Sequence, residues 1–233
     1  MTVKILRQQF PNSEPYFEEF DYDGAKDISV AALLDYINYN DDIVTTEGKK
    51  TTRIGWECSC LQGVCGACAI VINNVPALAC ETFLKDLKGD KITIRPLRKF
   101  PVVHDLLVDR SSIQENLKKT NVFIGEYNVP NDKEGKKHSQ HVKEHEIQYL
   151  AAKCLKCGLC MEVCPNYING MNFFGAAFAN DCYLVASRNY EKTQEIKKSY
   201  SEYFGKSCSK SLSCMNVCPV GIPMISTISK LNR

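Results

Sequence analysis

The sequence has no apolar run long enough to hide its backbone in lipid. Its longest charge-free stretch, Cys164 to Asn180, is broken by Pro165, Gly170, Gly175 and four asparagines. A spanning helix needs about 20 mostly apolar residues in a row. No basic tract stands out and the net charge is only +2, so nothing marks a nucleic-acid binder. No G-x-G-x-x-G turn follows a strand, no P-loop is present, and no Ser/His/Asp set stands out. Met1–Leu6 runs straight into a strand pattern, without the basic leader and apolar core of a secretory signal. These absences lead to the expectation of a protein that is soluble or peripheral to a membrane.

What is abundant is cysteine: thirteen in 233 residues. A disulfide scaffold is disfavoured by the odd count, by the missing leader and by a length sufficient for a core of its own. Zinc sites favour paired C-x2-C knuckles a dozen or more residues apart, and the first group, Cys60-x4-Cys65-x2-Cys68, lacks that form. The length suits two modest domains. We expect an α+β chain: residues 1–105, a small sheet gripping one helix; 106–140, a helix and an exposed connection; 141–233, a mainly helical domain.

In the first part, Val3–Gln9 and Tyr16–Tyr22 read as strands, joined by a turn at Asn12–Pro15. Val30, Leu33, Leu34 and Ile37 recur at helical spacing, which predicts a helix over Ser29–Asn38. Ala69–Ile72, a turn at Asn73-Asn74, Val75–Ala79 and Lys91–Arg95 complete the sheet. Cys60, Cys65 and Cys68 with a distant Cys80 have the plant-type 2Fe–2S spacing. Four thiolates concentrate negative charge, so backbone N–H groups must turn toward them, and Gly63 and Gly66 stand where positive φ would allow it. Cys58 fits no spacing and reads as a small buried or surface thiol.

Phe100–Arg110 leads from the sheet into a predicted helix, Ser111–Lys119, and Gly125–Gln140 reads as an exposed connection. His141 and His145 lie i, i+4 on a predicted helix start; without a carboxylate partner they read as a solvated face rather than a metal site. His104 reads as a structural histidine. Helices are expected over Ile147–Lys153, Ala176–Arg188 and Glu191–Phe204.

Cys154, Cys157, Cys160 and Cys164-Pro165 form a C-x2-C-x2-C-x3-C-P run. In such runs three cysteines hold one cubane and the fourth reaches a second cluster. A second run has Cys208, Cys214 and Cys218-Pro219, with Ser211 where a cysteine would complete the pattern. Overlaying the two gives Cys154, Cys157, Cys160 and Cys218 as a 4Fe–4S set. Cys164, Cys208 and Cys214 are left as three thiolates, which suit 3Fe–4S, since a serine hydroxyl is a poor substitute for a soft thiolate. These eleven cysteines are the expected metal ligands. Cys182 falls on a predicted helix and packs as a small apolar residue. A chain with three such centres and no substrate site moves single electrons.

Order, spacing and flanks resemble the iron–sulfur subunit of succinate dehydrogenase and fumarate reductase. The resemblance rests on Cys58–Cys68, Asn73–Cys80, Phe100–Val103, Asp109–Ser111 and both cysteine runs, and so covers nearly the whole chain. It implies a plant-type ferredoxin (β-grasp) domain followed by a bacterial ferredoxin-like one. It further implies a relay from 2Fe–2S through 4Fe–4S to 3Fe–4S. The partners it implies are a flavoprotein with covalent FAD, which interconverts succinate and fumarate, and a membrane anchor, haem-bearing in some complexes, where a quinone binds. The implied location is the cytoplasmic face of a prokaryotic membrane. The quinone end departs from the family pattern: Asn166–Asn169 stand where some members have a tryptophan, Ser209 where some have a histidine, and Lys230 and Arg233 sit at shifted offsets from the last Cys-Pro. Two other readings share the cluster set. One is a peripheral thiol- or quinol-linked fumarate reductase with a cysteine-rich partner. The other is a free ferredoxin, against which the apolar stretch Val220–Ser226 weighs, because it suits docking.

Overall fold

The computed structural model describes residues 1–123, 142–189 and 191–232, with residues 142–144 in backbone only. The predicted connection over 125–140, including His138, lies outside them, as does His141; His145 is exposed. The strands are β1 (Thr2–Arg7), β2 (Tyr16–Asp21), β3 (Ala69–Ile72), β4 (Val75–Leu78), β5 (Lys91–Arg95), β6 (Val102–His104) and β7 (Leu107–Val108). The helices are α1 (Val30–Asn38), α2 (Ser111–Lys119), α3 (Val142–Ala152), α4 (Leu159–Glu162), α5 (Gly175–Arg188), α6 (Thr193–Tyr200), α7 (Ser213–Asn216) and α8 (Met224–Leu231). They form an α+β chain of two compact units: Met1–Arg110 with Leu155–Val163, and Ser111–Cys154 with Cys164–Arg233.

In the first unit the alternation of β1 sends Val3, Ile5 and Arg7 inward. β2 pairs with it antiparallel, Val3 opposite Phe20, and β5 pairs with it parallel, Ile5 opposite Ile94. β3 and β4 close the sheet in the order β2-β1-β5-β3-β4. Their hairpin turns on Asn73 and Asn74, at φ 48° and 67°, the left-handed pair that a two-residue hairpin demands and asparagine tolerates. Helix α1 buries Val30, Leu33, Leu34 and Ile37, the apolar stripe that its spacing predicted. Ser29 caps it, its Oγ accepting the N–H of Ala32 at 3.2 Å. Ser29→Ala should cost about 1 kcal/mol. A lower urea midpoint at unchanged slope would show it; an unmoved midpoint would mean that the cap contributes nothing in solution.

The unit carries a buried charge cluster. Arg7 is fully buried, and its Nη1 donates to Glu18 at 2.5 Å while Nε pairs with Asp105 at 3.1 Å. Its Nη2 donates to the carbonyls of Thr52 and Arg53 at 3.3 and 3.1 Å. Asp105 accepts the N–H of Gln8 at 2.9 Å and of Gly55 at 2.8 Å. Asn38 brackets Ile54, donating to its carbonyl and accepting its N–H. Side chains thus fix residues 52–55, the approach to the first cysteine loop. Asp105 reaches this place from a small hairpin, β6–β7, which stands where the sequence predicted a plain lead into α2. His104 in that hairpin faces the Gln9 carbonyl with Nδ1 at 3.0 Å, in keeping with a structural role.

The second unit is helical around α5, which is buried on nearly all sides, as a central helix is. Asn180 Nδ2 donates there to the Ala151 carbonyl at 2.9 Å. Phe174 stacks on Tyr203 at 4.3 Å and Phe173 on Phe204 at 5.3 Å. The helix predicted over Glu191–Phe204 is shorter: α6 ends at Tyr200 and a π-turn, Ser201–Gly205, follows. Cys182 is wholly buried, and that burial pushes its thiol well above the usual range. Helix α8, absent from the prediction, buries Met224, Thr227 and Leu231. Ile222 and Met224 of the stretch read as a docking surface therefore belong to this unit's own core, because their spacing continues into a helical face; Ile225 is 51% exposed.

Candidate metal centres

The first unit gathers Cys60, Cys65, Cys68 and Cys80. The loop before β3 carries three of them, and a short 3-10 turn after β4 carries the fourth. Gly63 and Gly66 have φ of 71° and 78°, as expected, and Leu61 joins them at 54° without the licence of a glycine. The consequence is a set of inward N–H groups. Gln62 donates to Cys60 Sγ at 3.4 Å, Ala67 to Cys65 Sγ at 3.4 Å, and Gly63 to Cys80 Sγ at 3.3 Å. The backbone N–H of Gln62 and the neighbouring Cys65 thiol bring the Cys60 thiol down to about 7. Cys80 behaves oppositely: burial, then the adjacent Cys68 thiol 3.4 Å away, push it up to about 12. Two pairs of thiols ringed by N–H donors fit a two-iron group, whose cationic metal would offset the penalty on the buried Cys80 thiolate. Cys58 is exposed.

The run from Leu155 to Val163 belongs to this unit as well. Cys157 is buried and Cys160 half-buried, on or beside α4. Glu162, also buried, accepts from Arg98 Nε at 2.8 Å and from the N–H of Lys99 at 3.0 Å. A methyl group built on Gly66 would stand 2.7 Å from Cys157 Cβ. The first cysteine loop and this run are therefore in backbone-level contact, which no spacing argument foresaw.

In the second unit Cys164, Cys208 and Cys214 line one cavity of about 520 Å³, with Ser211 and Ser209 on its wall. Burial raises the Cys214 thiol, and the Cys164 and Cys208 thiols nearby raise it further. Three cysteines on one cavity wall, one of them with its thiol held up by burial, fit a cationic iron group that would favour the thiolate form. Cys154 and Cys218 also lie in this unit, both half-buried, and Cys218 Sγ accepts the N–H of Ile222 at 3.4 Å.

The two runs share one backbone. Lys156 and Lys210, each two residues past the first cysteine, have φ of 54° and 57°; Gly158 and Leu212, each four residues past it, have φ of 86° and 60°. Ser211 therefore occupies the place that Cys157 takes in the first run, in a loop bent alike. Leucine in this conformation costs about 1–2 kcal/mol, which the surrounding loop must hold.

The sequence comparisons agree with this geometry. Residues 2–115 match a family described as the 2Fe-2S iron-sulfur cluster binding domain, and residues 150–222 one described as the 4Fe-4S dicluster domain. The succinate dehydrogenase iron-sulfur subunit of Bacillus subtilis is 34% identical over 98% of this chain and 90% of its own. The chain belongs to the iron–sulfur subunits of the succinate dehydrogenase and fumarate reductase family. The fumarate reductase iron-sulfur subunit of Wolinella succinogenes is 28% identical over 100% of this chain and 96% of its own. A chain of the Mycobacterium smegmatis Sdh1 complex in the apo form shares the fold, with a TM-score of 0.73 at 22% identity, over 99% of this chain and 93% of that one. As a family member the chain is an electron-relay subunit of an oxidoreductase, with a 2Fe–2S domain and a 4Fe–4S dicluster domain. Among the described residues no helix is long and apolar enough to cross a membrane.

Proposed function

We propose that this subunit passes single electrons between a flavoprotein carrying covalent FAD, where succinate and fumarate interconvert, and a quinone held at a membrane anchor on the cytoplasmic face. The proposed ligands are Cys60, Cys65, Cys68 and Cys80 for 2Fe–2S; Cys154, Cys157, Cys160 and Cys218 for 4Fe–4S; and Cys164, Cys208 and Cys214 for 3Fe–4S. Bound iron–sulfur clusters supply one-electron chemistry at potentials set by charge, hydrogen bonds to sulfur and exposure. The residues of the chain do the rest. Cysteine thiolates hold the metal, and the N–H groups of Gln62, Gly63 and Ala67 aim at sulfur. Burial limits the access of water to Cys80.

The observation that carries the three-centre reading is the cavity of Cys164, Cys208 and Cys214, with serine at the fourth ligand position of a matching loop. Electron paramagnetic resonance during a redox titration of the purified complex tests it. The expected result is three centres, one of them paramagnetic when oxidised, and about nine iron atoms per chain by that cluster count. Two centres only, or zinc in place of iron, would refute the reading. Ser211→Cys should convert the third centre toward a cubane and raise iron to about ten; an unchanged iron content would sink the ligand assignment there.

A further inference from the structure

Arg110 closes the first unit, and nothing in the ligand spacing assigns it a part. Its side chain is only 15% exposed. Nη1 donates to the carbonyl of Gly66 at 2.9 Å and to that of Cys157 at 3.2 Å; Nη2 donates to the carbonyl of Ala67 at 3.3 Å and pairs with the Glu57 carboxylate. The Gly66 carbonyl and the Ala67 N–H belong to one peptide group. In a trans peptide they point in opposite directions. The carbonyl end is held by a guanidinium, and the N–H end faces Cys65 Sγ at 3.4 Å.

We propose that Arg110 is a positioning residue that sets the redox potential of the 2Fe–2S centre through the Gly66–Ala67 peptide. The inference rests on Cys65 being a ligand of that centre, as proposed above. Charge-assisted bonds are the stronger kind, and hydrogen bonds in series polarise one another. A cation on the carbonyl therefore makes the N–H at the sulfur a better donor. That donor favours the state with one more electron, because reduction adds negative charge to the sulfurs and hydrogen bonds to sulfur raise the potential. The same guanidinium holds the Cys157 carbonyl, so the two cysteine loops are fastened by one side chain. Glu57, 45% exposed, offsets part of the charge.

The test is a potentiometric titration of the whole complex, reading the 2Fe–2S signal by electron paramagnetic resonance. In Arg110→Gln the peptide loses its cation and Glu57 is left unpaired. The reduced-to-oxidised ratio at fixed ambient potential should fall at least tenfold, a downward shift of about 59 mV for one electron. Arg110→Lys keeps the charge but not the fork that grips three carbonyls, and should lower the ratio at least threefold. Glu57→Gln, on the exposed side, should raise it at least twofold. Ratios within twofold of the parent in both arginine variants overturn the proposal, whatever the iron content. If Arg110→Gln fails to load iron, an unshifted Arg110→Lys overturns it. A parent complex with no 2Fe–2S signal instead refutes the ligand assignment on which the proposal stands.

Discussion

Arg7→Ala should destabilise the first unit by about 3–5 kcal/mol, the cost of stranding buried charge when one partner is removed. Arg7 is fully buried, Asp105 is buried beside it, and Glu18 is 9% exposed. Without the guanidinium, two buried carboxylates each lose a cationic partner. Glu18 keeps the Thr51 hydroxyl, at 2.7 and 2.9 Å to its two oxygens, and Asp105 keeps two backbone N–H groups. The carbonyls of Thr52 and Arg53 lose their donor at the same time. Because those residues approach Cys60 in the chain, the variant should also lose iron from the first centre before the second unit melts. Urea unfolding followed by circular dichroism, with iron assayed in parallel, measures both. A loss below about 1 kcal/mol would mean that water reaches the carboxylates and solvates them.

Gly66→Ala should have the second-largest effect, and it acts on the centre itself. The position has φ of 78°, where an alanine is strained by about 1–3 kcal/mol. The new methyl would also meet Cys157 Cβ at 2.7 Å and Leu155 Cβ at 3.0 Å. Neither is the far end of a flexible chain, so the loop itself must move. The N–H of Ala67 would turn away from Cys65 Sγ, and the ring of donors would open. The expected outcome is loss of most of the 2Fe–2S signal and disturbance of the centre proposed at Cys157, with the centre proposed at Cys164, Cys208 and Cys214, all in the second unit, retained. Gly89→Ala is the control: it too has positive φ, at 83°, but open space around it. It should cost strain alone and keep the signal. Full retention of the 2Fe–2S signal in Gly66→Ala would show that the loop has room that the structure denies it.

The 2Fe–2S and 4Fe–4S domain types could be read from cysteine spacing. The positive φ at Gly63 and Gly66, the Asn73-Asn74 turn and the apolar stripe of α1 all followed from local rules, because each depends on neighbours in sequence. What stayed hidden depends on distant ones. The parity of β1 put Arg7 on the inner face, yet a charge there reads as an error until Glu18 and Asp105 are seen beside it. Arg110 stood inside a motif that the family resemblance quoted, but its three carbonyl partners come from two separate loops. Leu212 gave no sign of its left-handed backbone; only the overlay of the second run on the first, with Gly158 at the equivalent place, hinted at it. The β6–β7 hairpin was too short for any alternation to register.

The five-stranded sheet ends on β2 and β4, and both edges are guarded; at β2 the Glu19 carbonyl already accepts the N–H of Thr46 at 2.8 Å. β2 presents Glu19 and Asp21, and β4 contains Pro76, which removes one backbone donor. Charged or proline-bearing borders discourage a neighbour from adding its own strand. A newly made copy can therefore wait at high concentration for iron and for its companions, without stacking onto its siblings as fibrils.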